Sequence, residues 1–104
     1  MNDNLIIGLK SIANEVLPQG SKVWLYGSRA RGEAKPDSDW DLLILIDKDK
    51  VSSADDDTYS YPFVLYGRKH AAAVSPMLYT YDEWAKRSAS PFHQNVEHDK
   101  IAIL

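Results

Sequence analysis

Tyr26-Gly27-Ser28-Arg29-Ala30-Arg31-Gly32, then Asp37-Ser38-Asp39-Trp40-Asp41 and the apolar run Leu42-Leu43-Ile44-Leu45-Ile46, decide how this chain folds. They read as a strand, a tight Gly-Ser turn, a short helix, a loop, and a second strand that opens on two carboxylates. Gly27 lets the backbone take dihedrals forbidden to other residues and approach a phosphate closely. Ser28 begins the short helix, where unpaired N–H groups and the positive dipole end attract anions. Asp39 and Asp41 lie two apart on a strand, so their carboxylates share a face. Paired carboxylates beside a phosphate-binding turn make a candidate Mg²⁺ site, because Mg²⁺ takes oxygen ligands from carboxylates and from substrate phosphates. Alone, the Gly-Ser turn would be an ordinary turn and Asp-Ser-Asp an ordinary solvated loop; their conjunction carries the reading.

Upstream, Leu5, Ile6, Leu9, Ile12, Ala13 and Val16 recur at helical spacing. They predict an amphipathic helix over about residues 4 to 17, with Asp3 or Asn4 as its N-cap. Leu17-Pro18-Gln19-Gly20 stops it, and Ser21 to Tyr26 reads as the first strand. The short helix Ser28 to Gly32 ends on Gly32 as C-cap, and Glu33 to Ser38 is a polar loop. Asp39 to Asp47 is the second strand. Its five consecutive apolar residues demand cover on both faces, with the first helix a candidate for one of them.

Downstream, Asp47-Lys48-Asp49-Lys50 and Ser52 to Asp57 read as a charged, solvated loop. Tyr59 to Tyr66 is ambiguous: its aromatic and β-branched content suits a strand, whereas Pro62 suits the first turn of a helix capped by Ser60. Ala72 to Tyr79 is a third strand, and Pro76 favours an edge position because it lacks a backbone donor. Thr80-Tyr81-Asp82-Glu83 matches a capping box and starts a helix reaching about Ser88. Ser90-Pro91 breaks that helix; one further turn is expected near Phe92 to Val96. Ile101 to Leu104 is expected as a short strand or a docking segment.

Composition bounds the class. A chain of 104 residues, 44% hydrophobic and 26% charged, fits one small globular domain over residues 1–104. No apolar run approaches the roughly 20 residues needed to span a membrane. Met1 to Asn4 lacks the layout of a signal peptide. The absence of cysteine rules out disulfides and thiolate metal sites and permits a cytoplasmic setting. A net charge of −3 argues against broad, non-specific nucleic-acid binding.

The pair Gly27-Ser28 and Asp39-x-Asp41 resembles the signature of the DNA polymerase β-like nucleotidyltransferases. More closely, Gly27-Ser28-Arg29-Ala30-Arg31-Gly32 with Ser38-Asp39-Trp40-Asp41-Leu42 is similar to the minimal nucleotidyltransferase (MNT) domains of prokaryotes. That resemblance implies an α/β (α+β) fold, a small mixed β-sheet with helices packed on one face and a nucleotide site on the open face. It also decides the ambiguous stretch in favour of a helix over about 61 to 70. The implied chemistry is transfer of a nucleoside monophosphate, AMP from Mg²⁺-bound ATP, to an acceptor hydroxyl.

Asp39 and Asp41 would be the catalytic metal ligands. Gly27 and Ser28 would hold phosphates, with Arg29, Arg31 and Lys35 as further phosphate contacts. The family takes a third carboxylate from the adjacent strand, and matching Val74 to Leu78 to that strand puts Ser75 there. Asp47 is no substitute, since six strand residues put it roughly 20 Å from Asp41.

The resemblance further implies a HEPN-type helical protein as partner in a toxin–antitoxin pair, with this chain as antitoxin. So short a chain leaves no room for a separate acceptor-binding domain. The rival expectation is a nucleotide-binding module that neutralises its partner by contact, and Ser75 feeds that rival. Homo-oligomerisation is left open. His70, His93 and His98 form no metal-ligand spacing and suit surface or capping roles. Trp24 and Trp84 suit packing, and Trp40 points away from the aspartates towards the helical layer.

Overall fold

The computed structural model describes residues 3–104. In chain order it contains α1 (Asp3–Val16), β1 (Lys22–Tyr26), α2 (Ser28–Arg31), β2 (Trp40–Ile46) and α3 (Ser53–Asp55). A π-helical turn (Asp56–Ser60) leads into α4 (Tyr61–Lys69), followed by β3 (Val74–Thr80), α5 (Tyr81–Ala85), α6 (Pro91–Asp99) and β4 (Ile101–Ala102). The four strands form one mixed sheet in the order β3-β2-β1-β4. β1 pairs antiparallel with β2 and β4, while β2 and β3 run parallel.

Strand alternation divides the core into two clusters. Val23, Leu25, Trp40, Leu42, Ile44 and Ile46 face one side, where Leu5, Leu9 and Ala13 of α1 and Phe63 of α4 complete the larger cluster. These are the helices packed on one face, and Trp40 is buried against them as its position on β2 requires. Trp24, Leu43 and Leu45 face the other side and meet Trp84 of α5 and Val96 of α6. The two-sided burial expected of the apolar run is therefore met for β2, while the opposite face stays open at the Asp39–Asp41 end and along edge strand β3 at Met77. α1 already contains Asp3 and Asn4, so neither is the cap expected ahead of it.

β3 is an edge strand, as Pro76 demands. Trp40 N–H donates to the Ala73 carbonyl (2.8 Å), which sets the parallel ladder so that the odd-numbered β3 residues bond to β2. Pro76 thus belongs to the set facing the free edge, where its missing N–H breaks no ladder bond.

Three expectations about boundaries need correction. Ser53 to Ser60 is helical rather than a solvated loop. Ser52 caps it reciprocally with Asp55, whose buried carboxylate also takes Lys48 Nζ at 2.7 and 2.8 Å. That hydrogen-bonded partner holds the Asp55 carboxyl below the usual carboxylate range. α5 stops at Ala85 rather than Ser88. α6 runs nine residues, not one turn: Ser90 accepts from His93 N–H (3.1 Å), and Pro91 occupies the first turn of α6. The chain end is both strand and docking segment, since Ile101–Ala102 pairs with β1 and Ile103 is buried. Among the described residues no helix is long and apolar enough to cross a membrane.

Candidate active site

At the open end of the sheet, Tyr26 pairs with Asp41 and Asp41 pairs with Ser75, so β1, β2 and β3 each place one side chain in a single row. Asp39 sits one residue ahead of β2 on the same face. Ser75 Oγ donates to Asp39 Oδ2 at 3.4 Å. The third position expected from the family pattern thus holds a hydroxyl.

Gly27 joins β1 to α2 with φ 76° and ψ −159°, a combination essentially restricted to glycine. A Cβ there would lie 2.5 Å from Asp41 Oδ2. The turn and the carboxylate are therefore packed against one another, and glycine is required on conformational and on steric grounds. α2 closes on Gly32, in the left-handed region at φ 74°. No side chain caps its first turn, and among the described residues the Ser28 hydroxyl makes no hydrogen bond. Ser28→Ala is accordingly expected to change stability by less than about 0.5 kcal/mol. It should weaken triphosphate binding roughly fivefold, the loss of one hydrogen bond. Paired thermal melts and calorimetric titration separate the two effects.

Electrostatically the row is loaded. Burial, and then the neighbouring charge of Asp39, raise the Asp41 carboxyl above its ordinary range, while Arg31 pulls the other way. The Tyr26 phenol is pushed up to about 12 by burial, by Asp41 and by Tyr79, which keeps it protonated at neutral pH.

The three basic candidates part company. Arg31 donates Nη1 to Asp99 Oδ2 (2.7 Å) and Nε to Glu33 Oε1 (2.6 Å), tying α2 to the end of α6 while acting on Asp41 through space. Arg29 turns to the Trp40 side, where its guanidinium lies 4.4 Å from the ring centre. From there it donates to the carbonyls of Ser38 (2.8 Å) and Pro36 (3.2 Å), bracing the loop that carries Asp39. A cavity of about 380 Å³ lined by Arg29, Asp37, Trp40 and His70 opens on that far side, and neither Asp39 nor Asp41 lines it. Lys35 anchors the same loop through its backbone N–H to Ser38 Oγ (2.9 Å), and its side chain is exposed.

The histidines lie elsewhere: His70 stacks on Tyr66, His93 on Trp84, and His98 meets Asp99. Among the described residues no group of three or more His, Cys, Asp or Glu could hold a metal. Two residues of the neighbourhood had no assigned role in the sequence. Tyr26 was signalled by alternation with Trp24. Asp99 lies 68 residues from Arg31, and nothing local marks it.

A mixed sheet that sets a Gly-Ser turn against an Asp-x-Asp strand defines the nucleotidyltransferase class, and the comparisons agree. Residues 6–98 match the family model described as a nucleotidyltransferase domain, so the chain belongs to that family. Two solved structures share the fold. One is a toxin–antitoxin with AMP-PNP (21% identity, TM-score 0.64); the other is the toxin–antitoxin MntA-HpeT in a double Asp-to-Glu mutant form (18%, 0.60). All of this chain and 73% of each of those chains are covered. No curated protein sequence matches. The nucleotidyltransferase domain and fold expected from the Gly27 to Leu42 stretch are thereby shown.

Proposed function

We propose that this protein transfers AMP from Mg²⁺-bound ATP to a hydroxyl on a partner protein, as the antitoxin of an MNT/HEPN-type pair in the cytoplasm. The observation that carries the reading is the contact between the Gly27 turn and Asp41, which brings a phosphate-binding backbone and paired carboxylates to one point. Family membership supports the reaction class, and the similar toxin–antitoxin structures support a nucleotide and a protein partner.

The donor set fits Mg²⁺. Asp39 and Asp41 offer only oxygen, they share one face, and the Asp41 carboxyl is raised by burial and then by Asp39, a cost to its ionised form that a cation would offset. When bound, the cation neutralises phosphate charge and favours the ionised acceptor oxygen. Gly27 and Ser28 hold the β- and γ-phosphates with N–H groups and the hydroxyl. Arg31 lends positive charge from the end of α2. The acceptor hydroxyl gives up its proton to solvent, its oxygen bonds to the α-phosphorus as the bond to the β-phosphate oxygen breaks, and pyrophosphate leaves.

Ser75 favours a second reading, a module that binds nucleotide and acts by contact alone. The two are separated by following labelled AMP onto a co-expressed partner with wild type, Ser75→Asp and Asp39→Asn. Slow transfer by wild type, faster transfer by Ser75→Asp and none by Asp39→Asn supports catalysis. No transfer by wild type or Ser75→Asp in the presence of the partner supports the contact reading.

A further inference from the structure

The geometry points to Ser75, Met77 and Tyr79 of β3, with Arg87 beyond them, as the seat of an extended protein acceptor. Its hydroxyl lies at the Ser75 end, an apolar side chain over Met77 and an acidic side chain at Arg87. The inference rests on the transfer reading, because it begins from the direction of the reaction. Attacking and leaving oxygens lie roughly in line across the phosphorus. Gly27 and Ser28 flank Asp41 on the β1 side, and Ser75 flanks it on the β3 side. A pyrophosphate leaving towards Gly27 and Ser28 therefore requires a hydroxyl arriving over β3.

Only three β3 side chains share that approach. Alternation puts Ser75, Met77 and Tyr79 on the face of Asp41, in register with Asp41, Leu43 and Leu45. Leu43 is fully buried, yet Met77 beside it is 42% exposed, because β3 is the sheet edge; Trp84 of α5 meets the strand at Tyr79, two residues further on. Exposed methionine is an adaptable apolar docking surface. At the far end the Arg87 guanidinium lies 4.8 Å from the centre of the Tyr79 ring. Arg87 forms none of the ion pairs among the described residues. Glu83, the acidic group it influences, already accepts the Thr80 N–H at 2.9 Å. The strip thus runs from polar through apolar to cationic.

Recognition falls to side chains rather than to strand addition, since Pro76 interrupts the donors of the free edge. A nucleic-acid acceptor is disfavoured, because phosphate backbones are held by several cations and this strip offers one. An extended segment repeats its side chains at the spacing of β3 itself. The expected acceptor pattern is therefore hydroxyl, apolar two residues on, acidic four residues on, in either chain direction.

The test uses short fluorescent peptides carrying Thr-x-Leu-x-Glu, its reverse, and a control with Ala at the Leu and Glu positions. Anisotropy is read on the whole protein with Mg²⁺ and a non-hydrolysable ATP analogue. One patterned peptide should bind about tenfold more tightly than the control, and Met77→Asp should remove that advantage. Arg87→Glu should lose the Glu peptide and gain a Lys-substituted one, a charge swap that a misfolded variant could not show. Binding of Mg²⁺ and ATP should stay unchanged in both variants. Equal binding of patterned and control peptides, failure of the swap, or Met77-dependent binding of an oligonucleotide would overturn the assignment. Peptide binding without AMP transfer to any acceptor would sink the transfer reading alone, because the anisotropy reports the strip independently of the chemistry.

Discussion

Replacing Asp39 and Asp41 together by Asn is expected to abolish Mg²⁺-dependent ATP binding while leaving the free protein as stable as wild type, or more so. Both ligands offered to the cation disappear, and affinity should fall on the order of 100-fold or more, about 2.7 kcal/mol. Stability moves the other way for a separate reason. Burial and Asp39 raise the Asp41 carboxyl in the folded state, so its ionised form at neutral pH opposes folding, and neutral Asn removes that opposition. A functional site that weakens the empty fold is the usual trade. Melts with and without Mg²⁺ and ATP read both quantities: the ligand-induced rise in Tm should vanish and the unliganded Tm should hold or climb. Retained metal-dependent binding would remove Asp39 and Asp41 from the site.

The legible part of this site is the local part. Gly27, Ser28, Asp39 and Asp41 fall within 15 consecutive residues, and two-residue alternation places both carboxylates on one face without knowledge of the rest of the chain. Trp40, Pro76 and the Thr80 capping box were readable for the same reason. Each is a backbone requirement expressed by one residue type. The position of Ser75 needed the β2–β3 register, which the family pattern supplied and the parallel pairing with Asp41 reproduces.

What stayed hidden depends on distant partners. Asp55 reads as one of three solvated aspartates until Lys48 and Ser52 are found around it. Arg29 and Arg31 are two residues apart on one short helix and look equivalent, yet they diverge to Trp40 and to Asp99. The second covered face was implied by the five apolar residues of β2 but not its occupants. Trp84 sits on the helix that the Thr80 capping box announced, but Val96 sits on one that Pro91 made look like a tail with a single turn.

Gly27→Ala should be the most damaging single substitution at the site, because two independent penalties meet there. Its φ of 76° with ψ −159° is a region that L-residues reach only at a cost of about 1–3 kcal/mol. In a domain of this size that corresponds to a fall in Tm on the order of 5–20 °C. The second penalty is steric: the new methyl would sit 2.5 Å from Asp41 Oδ2, so the carboxylate must leave the place where it meets Asp39. Gly32→Ala separates the two. Gly32 also has a positive φ, 74°, but nothing lies within 4 Å of its would-be Cβ. That variant should lose about 1–2 kcal/mol, the left-handed strain alone, and keep its nucleotide affinity. Gly27→Ala should lose Mg²⁺-dependent ATP binding even well below its lowered Tm, where circular dichroism shows it folded. Equal nucleotide affinity in the two variants would mean that the turn and the carboxylate are not one site.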